Sequence, residues 1–526
     1  MPVLERKWWT LIAVCTAMFM LLLDITVVNV ALPNIQSSLH STFSDLQWVV
    51  DAYSLTLAAF LLTAGVVGDL YGRRLTFAIG LAIFTIASFL CGVSTSSTML
   101  NLCRGVQGVG GAVMFATSLA LIAGAFHGKD RGAAFGIYGA TIGGAVAVGP
   151  LVGGAITSGI GWRWIFFVNV PIGVVAMFIT LRKIQESRDE HERKIDVFGF
   201  FSFSIGLFLL ILALIRGNSD GWSSSLIVGL FASAAFCLVV FAIAEVRNSD
   251  PMLPLPLFRK PAVVGVSFVA FCMSGSIFAM FLYWTLYLQD ALGNSPLGAG
   301  VRYLPLTALS FFVAYAAGQL TVRIQSRILL GGGLFLVAVG LFLMSHTHPD
   351  STWTVLLPGF IVAGIGIGMV NPVLASASIS VVPPQESGMA SGTNNTFRQV
   401  GIATGIAVLG AIFQSQVVSK TTSVLQQSAT GREVLHFGGS NLDAALAGGG
   451  VRTVAASPQV PGPAKAELIH AYQVGFSGAL NHITLVATIV AFVGAVMGAA
   501  LVRQKDFLAP THGEGGPATA VGVHAA

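Results

Sequence analysis

Charge is what this sequence has least of. Its 526 residues include 27 Lys and Arg and 22 Asp and Glu, 9% of the chain, where a soluble globular domain carries roughly 25%. A chain of this length would otherwise form three or four soluble domains. There are too few charges to coat them, so a soluble enzyme with a water-facing surface is excluded. Cysteine is also scarce: Cys15, Cys91, Cys103, Cys237 and Cys272 fall in apolar stretches without metal or disulfide spacing. The ten histidines are scattered, with no metal-binding spacing inside apolar segments, which leaves no metal site and no catalytic constellation for a membrane enzyme. A Gly-rich phosphate loop ending in Lys-Ser/Thr is missing, so ATP is not expected to drive this chain. The first apolar run, Trp8 to Pro33, is too long for a signal-peptide core of about 7–15 residues. The net charge of +5 comes from basic residues dispersed at helix ends, not from a nucleic-acid-binding patch.

What is there is apolar: 55% of residues are hydrophobic, and glycine numbers 61. A membrane helix needs about 20 mostly apolar residues. Fourteen such runs are expected at 9–33, 47–69, 75–95, 98–122, 133–157, 164–181, 198–216, 224–245, 262–288, 299–322, 328–346, 353–380, 390–415 and 477–502. They are continuous rather than alternating, which excludes a β-barrel. With the N-terminus inside, eighteen of the 27 basic residues fall in cytoplasmic segments and six in outer ones. Arg104, Arg302 and Arg398 lie within helices. By the positive-inside rule both termini are cytoplasmic.

Residues 416–476 form a Gly/Ser/Ala-rich outer loop, with a short helix expected around Thr422–Leu435. The tail 504–526 is polar and expected to be disordered. The charged stretch 182–196 reads as a solvated connector. A faint repeat relates Gly65–Arg74 to Gly318–Arg327, and Gly108–Ala120 to Gly366–Ser378. The offset of eight helices divides the chain into a six-helix bundle at 1–181, a loop with inserted helices 7 and 8 at 182–261, and a second six-helix bundle at 262–503. Repeated bundles around a midplane cavity are the usual plan of secondary transporters.

Between helices 2 and 3 the chain reads Gly65-Val-Val-Gly-Asp69-Leu-Tyr-Gly72-Arg73-Arg74. Glycine allows a sharp turn and close helix approach. Asp69, at a helix end, can pair with an arginine or with the positive N-terminus of a neighbouring helix, a latch that breaks when the halves rock; a simple basic anchor with a turn is the alternative. The pattern resembles the most recognisable motif of the major facilitator superfamily. Four stretches narrow the likeness: Leu23-Asp24 through Asn29 to Pro33, Trp48-Val-Val-Asp51-Ala-Tyr53, Arg104-Gly-Val-Gln107-Gly108-Val-Gly110, and Gly149-Pro150-Leu-Val-Gly153-Gly154. With Trp162 through Asn169-Val-Pro171, they are similar to the fourteen-helix drug:proton antiporters. The resemblance spans roughly residues 8–415 plus the last helix. It implies the major facilitator fold, all-α, with two six-helix bundles plus two inserted helices. It also implies a monomer in the bacterial cell membrane that works without a cofactor. The Gly149–Gly154 run is, by resemblance, the antiporter motif that seals one side of the cavity. This chain has Ala145 where the family pattern prefers glycine.

An ionisable residue at membrane depth costs a few kcal/mol or more and is a functional-site hypothesis by default. Helical rise places Asp24 about 13 Å, Asp51 about 6 Å and Arg104 about 9 Å below the outer boundary. Burial favours the neutral carboxyl and a nearby arginine the carboxylate, so the three are expected to form a proton-coupling cluster. The second half offers Arg398 with Asn394, Asn395 and Gln399 in helix 13, Arg302 and Tyr303 opening helix 10, and no deep carboxylate. Some exporters of dicationic dyes in the resembling family have extra acids there. Their lack argues against strongly cationic drugs and leaves neutral, monocationic and anionic substrates open. Asn29, Gln107, Tyr283, Tyr287, Asn394, Asn395 and Arg398 are candidate cavity residues. Among the other aromatics, Phe167, Phe271, Phe278, Phe281 and Trp284 can line a cavity or face lipid. The expectation is a proton-driven exporter of hydrophobic or amphipathic small molecules. The alternatives are an uptake symporter on the same fold and an exporter of a lipid-like or dedicated metabolite.

Overall fold

The computed structural model describes residues 5–41, 43–187, 196–248, 250–321, 323–436 and 462–507. Among them there are helices and no strands. Twelve helices are long and apolar enough to cross a membrane. In chain order the main helices are α1 (Arg6–Leu39), α2 (Phe43–Tyr71), α3 (Arg73–Gly92), α4 (Ser97–Ala125), α5 (Lys129–Gly159), α6 (Trp164–Lys183), α7 (Val197–Asp220) and α8 (Ser225–Arg247). They continue with α9 (Pro261–Gln289), α10 (Pro296–Arg302 and Leu304–Leu320), α11 (Ser326–Leu343), α12 (Leu357–Ser380), α13 (Ser387–Leu425) and α14 (Gly462–Leu501).

The expected runs coincide with these helices at their centres; most fall short at one or both ends, while 75–95 and 328–346 run past Gly92 and Leu343. The largest difference concerns the segment 416–476. Helix α13 continues through it to Leu425 and α14 begins at Gly462. The short helix expected at Thr422–Leu435 is split between the end of α13 and a helical turn at 429–436. The cause is amphipathic continuation: Val417, Thr421 and Leu425 stay buried at a helical spacing after hydropathy has fallen. The remainder of that loop and most of the 504–526 tail lie outside the described residues.

Two large apolar cores divide the molecule, beside a smaller one around Leu23, Val28, Val49 and Phe166. One is built from α1, α2, α4, α5 and α7, and the other from α9 to α14. Ala375, Ile379 and Met389, at the ends of α12 and α13, reach into the first core. Helix α8 packs chiefly on α7. Only 17% of its most apolar stretch is buried, so it is peripheral.

The faint repeat has a structural counterpart. Gly65 of α2 lies against the carbonyl of Gly388 in α13. Gly318 of α10, its partner in the repeat, lies against Gly132 and Gly136 of α5. A Cβ on Gly318 would stand 2.6 Å from the Gly136 Cα, closer than atoms pack. These seams, α2 against α13 and α5 against α10, carry the contact between the halves. The repeat fails in its charges: Asp69 and Arg73 correspond in sequence to Val322 and Ser326.

Candidate functional site

Asp24 is the centre of a buried polar network. It projects from α1 toward Arg104 and Gln107, one turn apart on α4. The Arg104 Nη1 stands 2.5 Å from its Oδ2, with 2% and 0% of the two side chains exposed. Gln107 Nε2 donates to Asp24 Oδ1 at 3.0 Å, and Arg104 Nη1 donates to Gln107 Oε1 at 2.8 Å. Arg104 Nε donates to the Val49 carbonyl of α2 at 3.0 Å, and its guanidinium lies 4.2 Å from the Tyr53 ring centroid. The glycines of the α4 motif make this possible. Gly108 presses on the Tyr53 backbone of α2, and Gly110 on Phe84 of α3, so α4 sits close enough for two long side chains to reach α1.

Two members are not singled out as site residues by the sequence. Asn169 is fully buried. It donates from Nδ2 to Asp24 Oδ1 at 2.9 Å and lies 3.0 Å from the Ser88 hydroxyl of α3. Ser88 in turn donates to the Phe166 carbonyl at 2.9 Å. Asn169 stands where α6 restarts after the short Trp164–Phe167 turn. Its place in the Trp162–Pro171 stretch is the available signal. Ser88 offers none, being one hydroxyl in an apolar run.

Asp51 does not join the cluster expected of it. It makes no hydrogen bond to Asp24 or Arg104 among the described residues. Val49, which does meet Arg104, lies two residues earlier, and two residues turn a helix by about 200°. Gln107, expected in the cavity, has both ends of its amide held in the network. Tyr283 and Tyr287 also depart from expectation. Their rings pack on Phe413 and Phe476 in the second core, and Tyr283 donates its hydroxyl to the Ile406 carbonyl at 2.8 Å. The side chains of Asn29 and Pro150 lie outside the described set.

A second site joins the two halves at the end bearing Arg73, Arg74 and Arg131. Asp69 Oδ1 accepts from Arg73 Nε at 2.9 Å and from Nη2 at 2.7 Å. The same carboxylate accepts from the backbone N–H groups of Gly388 and Met389, at 3.0 and 2.8 Å. These are unpaired donors at the start of α13, where a helix favours negative charge. Arg73 crosses as well, donating to the Pro384 and Gln385 carbonyls at 2.6 and 2.9 Å. Gly65 lets α2 and α13 approach, and Gly72, at φ +113°, turns the chain into α3. Arg74 takes no part in the crossing. Its N–H donates to Glu186 at 2.9 Å, which anchors the loop after α6. Nearby, Arg131 donates to Ser380 at 3.2 Å.

The α5 glycines serve two seams. Gly149 and Gly153 face Thr26 and Val27 of α1, on the strip of α1 that follows Asp24, whereas Gly154 meets nothing. Gly132, Gly136 and Gly139 face α10 and α12.

Alongside these two sites the sequence carries a family pattern. It fits the Major Facilitator Superfamily profile over residues 14–406. The chain belongs to the major facilitator superfamily. Among curated members it is 36% identical over 404 residues to the multidrug resistance protein Stp of Mycobacterium tuberculosis, covering 77% of this chain and 75% of that one. It is 37% identical over 414 residues to the puromycin resistance protein pur8 of Streptomyces alboniger, covering 77% and 82%. It is 34% identical over 413 residues to the tetracenomycin C resistance and export protein of Streptomyces glaucescens, covering 78% and 77%. The human organic anion transporter MFSD10 superposes with a TM-score of 0.60 at 13% identity, over 92% of this chain and 99% of that one, a likeness of fold. This superfamily member is a multi-pass protein of the bacterial cell membrane, and no catalytic family is indicated.

Proposed function

We propose that this protein exports amphipathic small molecules from the cytoplasm in exchange for protons. The observation that carries the reading is the buried Asp24–Arg104 pair, completed by Gln107 and Asn169. A buried ion pair is poor at adding stability, and removing one charge leaves the other exposed to a cost of about 3–5 kcal/mol. Protonating Asp24 is such a removal. It frees Arg104 to reorient against Val49 and Tyr53 and shifts α1 relative to α4, so proton occupancy and helix packing are coupled. The inward proton potential supplies about 1.4 kcal/mol per pH unit and about 2.3 kcal/mol per charge per 100 mV.

All fourteen helices serve as spans, with both termini cytoplasmic. Bundles at 1–181 and 262–503 rock about the α2–α13 and α5–α10 seams, and α7 and α8 in 182–261 flank them. Asp69, Arg73 and the start of α13 form the cytoplasmic latch, which opens to admit substrate and closes during release. Gly149 and Gly153 hold α1 against α5 on the outer side. Asn394, Asn395 and Arg398 contribute to the substrate cavity, and Asp51 takes part in proton coupling. The unit is a monomer that uses no cofactor and no ATP. Export is favoured over uptake by the relatives, whose names are those of resistance and export proteins.

Asp24→Asn tests the reading, because the amide keeps the shape and removes the titration. In everted vesicles the variant is expected to lose pH-driven accumulation of a dye substrate while eluting as a monodisperse folded protein. Undiminished proton-driven transport would overturn the assignment.

A further inference from the structure

The two deep arginines of this protein are treated differently. Arg104 has a carboxylate partner, whereas among the described residues Arg398 has none. Arg398 lies eleven residues into α13, about 16 Å along its axis. Its Nη2 donates to Asn371 Oδ1 of α12 at 3.2 Å, and its guanidinium lies 5.7 Å from the Phe278 ring in the π-helical turn Ser274–Phe278 of α9. Helices α9, α12 and α13 thus surround one guanidinium, which is half-buried. An intramembrane cation is costly unless paired, and no ion pair reaches Arg398 among the described residues.

Its neighbours add unmet donors. Asn394 and Asn395 precede Arg398 by four and three residues and share its side of the helix. Both are buried, at 3% and 2% exposure, and the Nδ2 of each lacks an acceptor. An unmet buried donor costs about 1–3 kcal/mol, so two such groups beside an arginine without a carboxylate partner describe a site built for something that accepts. Asn394 also lines a hollow walled by Val263 and Val266 of α9 and by Val381 and Val382 after α12. The rest of its lining is apolar apart from Ser267, Ser378 and Thr393.

We infer that Arg398, with Asn394 beside it, receives a negatively charged oxygen of the transported molecule, so that the preferred substrates are amphipathic monoanions whose apolar body lies against the α9–α12 hollow. A carboxylate, enolate or phenolate on an apolar ring system has this chemistry. The inference rests on the export reading and narrows its substrate class.

Two xanthene dyes of opposite charge test it: fluorescein methyl ester, a monoanion, and rhodamine 6G, a monocation. Binding to the purified full-length protein is followed by fluorescence anisotropy, and transport in everted vesicles by dye accumulation. The anion is expected to bind at least about tenfold more tightly than the cation, or about 1.4 kcal/mol. Arg398→Gln is expected to remove that preference without weakening rhodamine binding, and Arg398→Lys to keep most of it. Asn394→Leu, a second variant that keeps the charge, is expected to weaken the anion severalfold. Equal or tighter binding of rhodamine by the wild type overturns the inference, as does unchanged anion affinity in a monodisperse Arg398→Gln protein. Transport separates the two readings. If the anion binds as described but no proton gradient moves either dye, the export reading fails and the site stands. If the cation alone is exported, the export reading stands and the site falls.

Discussion

Asn169 shows how much a single side chain decides. Its Nδ2 reaches both Asp24 Oδ1 and Ser88 Oγ, so it ties α6 and α3 to the carboxylate on α1. Arg104 supplies the opposing charge, but Asn169 fixes where that carboxylate points. Asn169→Leu removes a donor to a charged group, an interaction of about 1.5–3 kcal/mol. It leaves Arg104 in place as counter-ion. The expected result is a protein that still transports but whose pH–rate profile is displaced from that of the wild type. An unchanged profile at reduced yield of folded protein would mark Asn169 as structural only. Asp24 and Arg104 are legible in the sequence, because a charge at membrane depth needs a reason. Asn169, Gln107 and Ser88 are not legible there as proton-site residues, because neutral polar side chains are common in helices and only their partners distinguish them. Asp51 illustrates the reverse: depth suggests membership of the cluster, yet no hydrogen bond joins it to Asp24 or Arg104 among the described residues.

At the scale of elements, helix seams are set by glycine. Gly318 on α10 and Gly132 on α5 meet backbone to backbone, and Gly65 on α2 meets Gly388 on α13 in the same manner. No side chain fits between such backbones. Gly318→Ala should therefore force α5 and α10 apart, at an overpacking cost of about 1–3 kcal/mol. A fall in melting temperature together with a larger loss of transport turnover is expected. Gly154→Ala serves as the control, since a Cβ there meets nothing, and it should leave both quantities near wild type. The helices themselves follow directly from hydropathy and length. Their ends do not, as α13 shows by continuing to Leu425, because burial of an amphipathic face extends a helix beyond the apolar run that announces it.

The whole molecule is closed at its basic end. Asp69, Arg73, Arg131 and Ser380 together hold α2, α5, α12 and α13 there. If access alternates, that end must open in each cycle. Asp69→Asn removes the charge that meets the start of α13 and the Arg73 guanidinium. The variant is expected to spend more time open at this end, read as faster labelling of a cysteine placed at Met389 by a membrane-impermeant thiol reagent in everted vesicles. Joining Arg131→Cys to Ser380→Cys with a short bifunctional maleimide should instead arrest transport. Labelling unaffected by Asp69→Asn, or transport that persists in the cross-linked protein, would remove the latch from the mechanism.

Composition and short motifs suffice to say that this protein lives in a membrane, where its helices run, that it belongs to a transporter superfamily, and which few charges merit attention. Both are local properties of the chain. Folding settles the rest: which charges meet, which glycines touch across the two halves, and which of two deep arginines has a counter-ion. Arg104 and Arg398 look alike in sequence. They differ because Asp24 lies eighty residues from one of them and within hydrogen-bonding distance, and among the described residues no carboxylate pairs with the other. Side-chain pairing across helices depends on rotation and on helix spacing, which no single stretch of sequence records.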